Sequence, residues 1–125
     1  MLFRSILGFS KFGSYSGNGS ADGPMIWCGF RPRWILLKST TAARDWLLYD
    51  TARGVYNENV EGPLQPNTSG TAYTNSSYTP FDILSNGFKP RASTTNFNAS
   101  GETHIFAAFA EAPTQNLFGG QANAR

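Results

Sequence analysis

The chain has 125 residues, a length typical of one domain, and a formal charge of +2 at neutral pH. Only 14% of its residues are charged and no basic block occurs, so it lacks the clustered patch that nucleic-acid binding normally needs. Ten Phe, five Tyr and three Trp stand among many Gly, Ser, Thr and Asn residues. This composition is typical of an all-β protein with many turns and not of a helical bundle.

The first eight residues are an apolar arm that is too short and too interrupted to be a signal peptide or a membrane span. We therefore predict a soluble chain that is not secreted by that route. An exposed apolar arm is a liability on a free monomer, so we expect it to pack on a partner or to cap the fold. The candidate assembly contacts in this arm are Leu2, Phe3, Ile6 and Leu7.

Short strands and turns are predicted next. Residues 10–16 predict a strand, because Gly13 and two serines argue against a helix. Residues 17–24 predict a turn and not a phosphate-binding loop, since no third glycine and no Lys-Ser/Thr pair follow. A second strand is predicted over residues 25–29, with Cys28 as a small buried hydrophobe.

Two apolar runs around a polar connector predict a β-hairpin over residues 33–51. Alternate residues of its first run point to opposite faces, and both sets are apolar. This pattern predicts a central strand whose second face is covered by another sheet or by a neighbouring subunit. Since all three tryptophans lie in apolar runs, they are predicted to be buried in the core and not to stack on sugars: Trp27, Trp34 and Trp46.

Residues 52–80 are nearly patternless, and a connection of this length is usually functional or part of an assembly. Short strand pieces are predicted near residues 55–56 and at Leu64. Its tyrosines offer both an apolar face and a hydroxyl, which makes them candidate contacts for a glycan on another surface: Tyr56, Tyr73 and Tyr78.

The chain becomes regular again at residues 81–84, which predict a strand. Asn86-Gly87 then predicts a type I′ hairpin turn, and Pro90 is expected near a sheet edge or at the end of the outgoing strand. Residues 103–110 predict a strand that is apolar on both faces. The polar, Gly-rich tail is expected to lie on another subunit or to fray, and Leu117 and Phe118 are its candidate assembly contacts.

Little in the sequence supports a catalytic or metal site. His104 is the only histidine and there is one cysteine, so a single chain cannot build a zinc site of the usual composition. His104 begins an apolar strand and is predicted to be a hydrogen-bonded structural residue and not a member of a Ser-His-Asp triad. A glycosidase pair is geometrically possible, without a supporting pattern, among Asp45, Asp50, Glu58, Glu61 and Asp82. We predict no catalytic, metal or cofactor site.

Five segments in order carry a family likeness: Phe12-Gly13-Ser14-Tyr15 through Pro24, Gly29-Phe30-Arg31-Pro32-Arg33-Trp34, residues 45–53, residues 81–89 and residues 98–111. Over about residues 9 to 112 the chain resembles a domain of unknown function that recurs in bacteriophage tail-fibre-like and other virion proteins. The resemblance implies a β-rich virion module, often repeated in tandem near the C-terminal end of long fibre proteins. It brings no catalytic motif. This chain carries one copy, which raises the alternative of a capsid decoration protein.

The sequence thus predicts an all-β, antiparallel, jelly-roll-like β-sandwich with long loops and short N- and C-terminal arms. Its parts are an apolar arm at residues 1–8, the sandwich module at 9–112 and a tail at 113–125. Because a small lone sandwich rarely has strands that are apolar on both faces, we expect a homo-oligomer, in particular a trimer.

The predicted function is that of a non-enzymatic bacteriophage virion structural protein, a fibre or appendage module whose loops recognise a host-surface glycan. A capsid decoration (cement) protein that stabilises the head shell is the alternative, and a small glycan hydrolase is a remote one. The expected partners are further copies of the chain, other virion proteins and a host polysaccharide, with no nucleic acid and no membrane insertion. The expected location is the virion, assembled in the host cytoplasm.

Overall fold

The structure is a computed structural model that describes residues 4–53, 62–71 and 81–111. These residues form strands and a single four-residue helix, with no helix long and apolar enough to span a bilayer. In chain order the elements are β1 Ser10–Ser16, β2 Ile26–Trp27, β3 Pro32–Ser39, β4 Leu47–Asp50, β5 Phe81–Leu84, β6 Gly87–Pro90, α1 Thr95–Asn98 and β7 Thr103–Ala110.

The strands form two antiparallel sheets. The larger sheet has the order β1-β7-β3-β4, and the smaller has the order β2-β6-β5. Strand β7, the last of the described strands, therefore lies between β1 and β3. The inner faces of the two sheets supply the core. The predicted all-β, sandwich-like antiparallel fold is confirmed.

The core is formed by alternate residues of the strands, as the apolar pattern of the sequence indicates. In the central strand β3, Ile35 and Leu37 are buried, whereas Trp34 and Leu36 lie half-buried on the other face. Burying each large apolar side chain contributes roughly 1.5–3 kcal/mol. From the smaller sheet, Phe81 and other aromatic side chains meet this layer, so the core is rich in edge-to-face ring contacts.

Several predicted elements are confirmed with their bounds. Strands β1, β5 and β7 cover residues 10–16, 81–84 and 103–110 as predicted. Strands β3 and β4 form the predicted hairpin, and Leu64 makes a bridge to Leu48. The predicted strand piece near residues 55–56 lies outside the described residues.

Strand β2 is shorter than predicted because the chain turns away after Trp27. The N–H groups of Cys28 and Gly29 both donate to the carbonyl oxygen of Asn86, at 2.8 and 3.0 Å, and Gly29 has a φ of 81°. A glycine accepts this conformation without strain. Only residues 26 and 27 therefore pair with β6.

The hairpin between β5 and β6 differs from the prediction by one residue. Leu84 pairs with Gly87, so the two-residue loop is Ser85-Asn86 and Gly87 begins the outgoing strand. A Cβ at Gly87 would lie 2.0 Å from the carbonyl oxygen of Ile26. This position therefore requires glycine because β2 approaches closely, and the type I′ turn is not the reason.

The loop at residues 17–24 is exposed over most of its length but fixed to the fold. It begins and ends with backbone hydrogen bonds, from Gly17 N to Glu102 O at 2.9 Å and from Gly23 N to Pro90 O at 3.0 Å. The side chain of Asn98, fully buried at the end of α1, holds its middle. No sequence pattern predicted this helix.

Candidate functional site

One side of the larger sheet faces away from the core, and we call it the outer face. Trp34 lies opposite Phe109 of β7, and Leu36 lies opposite Leu48 of β4. Ile105 is 40% exposed there. In the order of their strands, the apolar side chains of the outer face are Phe12, Ile105, Ala107, Phe109, Trp34, Leu36 and Leu48.

The outer face contains a shallow depression of about 520 Å³ next to β4. Its walls are almost entirely apolar: Trp34, Leu36, Trp46, Leu48, Pro66 and the neighbouring Asn67. Hydrogen bonds fix this rim. The backbone N–H of Trp46 donates to Asn67 Oδ1 at 3.0 Å, and the carboxylate of Asp45 accepts from Asn67 Nδ2 and Gln65 Nε2, both at 2.8 Å.

The N-terminal arm reaches the corner of the outer face. Phe109 makes edge-to-face contacts with Phe9, Phe12 and Trp34, with ring centroids 6.0, 5.9 and 5.4 Å apart. Leu7 is 73% exposed. Of the other predicted assembly contacts, Ile6 is half-buried and pairs with Ser10. The remaining four lie outside the described residues: Leu2, Phe3, Leu117 and Phe118.

A second surface, which we call the edge groove, lies where the edge strands β1 and β2 of the two sheets come together. It encloses about 330 Å³ and is lined by polar and apolar atoms in similar amounts. Trp27, 55% exposed, is its largest side chain. The ammonium group of Lys11 lies 5.7 Å from the centroid of the Trp27 ring.

The prediction that the tryptophans are buried in the core is wrong. Trp27 and Trp46 are exposed, and Trp34 lies on the outer face. Their apolar runs are buried on one side only, because Ile26 and Ile35 take the inward positions and turn the neighbouring tryptophan outward. Strand alternation puts Trp27 on the face opposite Ile26, but it does not indicate which of the two faces is buried. No sequence pattern singled out Lys11.

The tyrosines predicted to contact a glycan lie outside the described residues: Tyr56, Tyr73 and Tyr78. Among the described residues, Trp27 is an exposed aromatic side chain.

His104 lies in the core and stacks on Tyr15, with ring centroids 5.2 Å apart. Neither of its ring nitrogens has a hydrogen-bond partner among the described residues, so the predicted hydrogen-bonded histidine is wrong in that respect. Burial lowers the pKa of His104 and raises the pKa of the Cys28 thiol to about 12. Cys28 is buried, as predicted.

Each described carboxylate of the possible glycosidase pair makes a hydrogen bond or an ion pair with a neighbouring side chain. Asp45 accepts the two amide hydrogen bonds described above, Asp50 pairs with Arg33 at 3.1 Å, and Asp82 pairs with Arg91 at 3.0 Å. Glu58 and Glu61 lie outside the described residues. In the described ranges, no three His, Cys, Asp or Glu side chains are grouped as a metal site requires.

Comparison with known proteins places the chain in one family. No curated protein and no solved structure matches it. A family model, described as DUF7483, a domain of unknown function, matches residues 1–113. This match covers both strands of the edge groove and all four strands of the outer face. The chain therefore belongs to the DUF7483 family.

Proposed function

We propose that this chain is a non-enzymatic structural module of a bacteriophage particle that associates with further copies of itself through the outer face. The likeness of its five sequence segments to a domain of phage fibre-like and virion proteins supports the particle part of the proposal. The chemistry of the outer face supports the self-association.

The observation that carries this proposal is a contrast between the two solvent-facing sheet surfaces. The smaller sheet exposes Trp27 at its edge strand and otherwise has charged side chains outside, where Asp82 pairs with Arg91, and Lys89 and Arg91 both pair with Asp22 at 2.7 and 2.9 Å. The larger sheet has tryptophan, leucine, isoleucine and phenylalanine outside. Four strands about 4.8 Å apart give such a face an area of roughly 400 Å², the size of the largest apolar patch on soluble proteins, which is often a functional surface.

A second copy of the chain is the occupant that best fits this face. The surface is apolar over β7, β3 and β4, and its charged groups have local partners: Asp50 pairs with Arg33 at 3.1 Å, and Lys38 Nζ donates to the carbonyl oxygen of Arg44 at 2.6 Å. Such a surface is complementary to itself, and closed homo-oligomers use surfaces of this kind. A trimer is the expected state because the strands of a fibre module can pack their apolar faces around a common axis.

The oligomeric state tests this proposal through one substitution on the outer face. Leu36→Arg places a charge at the centre of the face, where association would bury it without a partner. We expect the unmodified chain to be an oligomer by light scattering after size exclusion, and Leu36→Arg to be a monomer with unchanged far-ultraviolet circular dichroism.

Ser85→Arg, in the exposed turn between β5 and β6, is the matched control and should leave the oligomer intact. A monomeric unmodified chain at micromolar concentration, or a Leu36→Arg chain that is still oligomeric, contradicts the self-association. The particle part is tested separately by labelling intact phage particles with an antibody against the chain. Absence of label contradicts it.

A capsid decoration protein is the second candidate, and the exposure of Leu7 favours it. An apolar side chain exposed to this degree suits an arm that inserts into another protein. Deleting residues 1–8 should then abolish attachment to the particle while the oligomer stays intact. If attachment survives the deletion, this candidate is wrong.

A further inference from the structure

The edge groove contains an aromatic ring that the backbone holds in place. The outward position of Trp27 follows from the pairing of Ile26 and Trp27 with β6. Gly29 has no side chain, and a Cβ there would lie 3.0 Å from Cη2 of the Trp27 ring. The indole therefore lies directly against the backbone. A ring positioned in this way presents apolar area at a low cost in conformational entropy when it binds a ligand.

A positive charge lies beside this ring. Within the described part of the chain, no acidic group pairs with Lys11, and the residues that line the groove include no carboxylate. The ammonium group is near enough to the indole for a cation–π contact. An anionic group that entered the groove would therefore meet a cation that has no competing partner.

Gly13 of β1 keeps the groove open. A Cβ at this position would lie 3.0 Å from Cε1 of Phe106, whose ring forms the floor. Any larger residue at position 13 would fill the space between Lys11 and the floor. Strand β1 pairs only with β7 among the described strands, so its second edge borders the groove with backbone donors and acceptors.

We propose that the edge groove binds a carboxylate-bearing pyranose, such as a uronic acid unit of an acidic polysaccharide. The apolar C–H face of the sugar ring stacks on Trp27, and its carboxylate pairs with Lys11. The free edge of β1 supplies hydrogen-bonding groups for the hydroxyls. A volume of about 330 Å³ is at the small end of ligand sites, which suits a single sugar unit. This inference does not depend on the proposed self-association.

An acidic sugar fits better than an acidic peptide because of the ring. A peptide carboxylate would use Lys11 but would leave the exposed Trp27 surface without a matching flat partner. A pyranose uses both the ring and the charge at once. The edge groove therefore predicts discrimination between two ligands that carry the same charge.

Calorimetric titration of the full chain with trigalacturonate tests the proposal, because this short probe engages one chain at a time. Trp27→Ala and Lys11→Gln should each weaken binding about tenfold or more, equivalent to a loss of about 1.4 kcal/mol. Trp46→Ala, at an exposed tryptophan outside the groove, and Arg4→Gln, at an exposed cation outside it, are the matched controls. Both should bind within about twofold of the unmodified chain.

Two further probes complete the test. A neutral galactose trisaccharide and triglutamate should each bind about tenfold more weakly than trigalacturonate, since each lacks one of the two matched features.

Gly13→Val should block the groove and remove binding, with the thermal midpoint recorded to detect unfolding. The proposal is overturned by no binding of trigalacturonate at millimolar concentration, by triglutamate binding equally well, or by equal losses in Arg4→Gln and Lys11→Gln.

Discussion

Asn98 fixes the loop at residues 17–24 through a side chain that is completely buried. Its amide nitrogen donates to the carbonyl oxygens of Ser20 at 2.7 Å and Ala92 at 3.2 Å, and to Asn18 Oδ1 at 3.1 Å. Its amide oxygen accepts from the backbone N–H of Asn18 at 3.1 Å. An Asn-x-Ser sequence begins here, but burial makes this asparagine a structural residue.

Replacing this residue should reduce stability strongly. Asn98→Ala removes every one of these bonds and leaves a void at a fully buried position, so we expect a loss of about 2–4 kcal/mol in the free energy of unfolding. Urea denaturation measures it. Asn96→Ala, at an exposed position of the same helix, is the control and should change stability by less than about 0.5 kcal/mol. Similar losses in the two variants would contradict this role of Asn98.

At the scale of single elements, β6 depends on close contact with β2. Strand β6 begins at Gly87, which pairs with Trp27 of β2. There the carbonyl group of Ile26 occupies the space of a side chain. The contact is between two backbones, so no rotamer change can relieve a clash.

Gly87→Ala should therefore destabilise the chain by more than about 2 kcal/mol, because the strands must separate to admit a methyl group. Gly70→Ala is the matched control, since only the Thr68 hydroxyl lies near, at 3.7 Å. We expect little change there, or a slight gain from the reduced freedom of the unfolded chain. Thermal unfolding of both variants measures the difference. An unchanged midpoint for Gly87→Ala would contradict the close approach.

The positions of most strands follow from the local sequence. The strands β3, β5 and β7 were predictable because each has alternating or two-sided apolar positions near clear turn residues, and β1 because Gly13 and its serines disfavour a helix. Gly87 was assigned to the wrong role because its requirement comes from Ile26, about sixty positions away in sequence. The helix at residues 95–98 has a single turn and is held by burial of Phe97, which no local pattern indicates.

The candidate site was less predictable than the fold. Its charge–aromatic pair joins Lys11 and Trp27, which belong to different sheets and meet only after the sandwich has formed. The outer face, in contrast, was visible in sequence as the second apolar side of β3. The sequence alone could not show which side of each tryptophan run faces the core, because burial is decided by the partner sheet.

For the whole molecule, stability should depend on pH through His104. Burial lowers its pKa in the folded state, while the nearby Glu102 carboxylate partly offsets this effect and Arg44 adds to it. The unfolded chain therefore binds a proton more readily. Stability is complete above the unfolded pKa of about 6.5 and is lost as the pH falls below it, by up to about 1.4 kcal/mol per pH unit.

Unfolding free energies at pH 7.5 and pH 5.5 test this directly, and we expect the lower value at pH 5.5. His104→Phe keeps a ring against Tyr15 and should remove most of the difference between the two values. The pKa values of Glu102 and Asp22 are lowered, chiefly by hydrogen bonds from Arg44 and Lys89, so their stabilisation is lost only at more acidic pH. An unchanged pH dependence in His104→Phe would contradict the assignment.

The position of β7 between β1 and β3 also determines when the domain can fold during translation. Among the described strands, β1 pairs only with β7, so this pair cannot form until Ala110 has left the ribosome. Pairing across about ninety residues makes loop closure costly and folding slow. The nascent chain therefore exposes the apolar strands of this domain until β7 has been synthesised, which makes shielding by chaperones valuable during that interval.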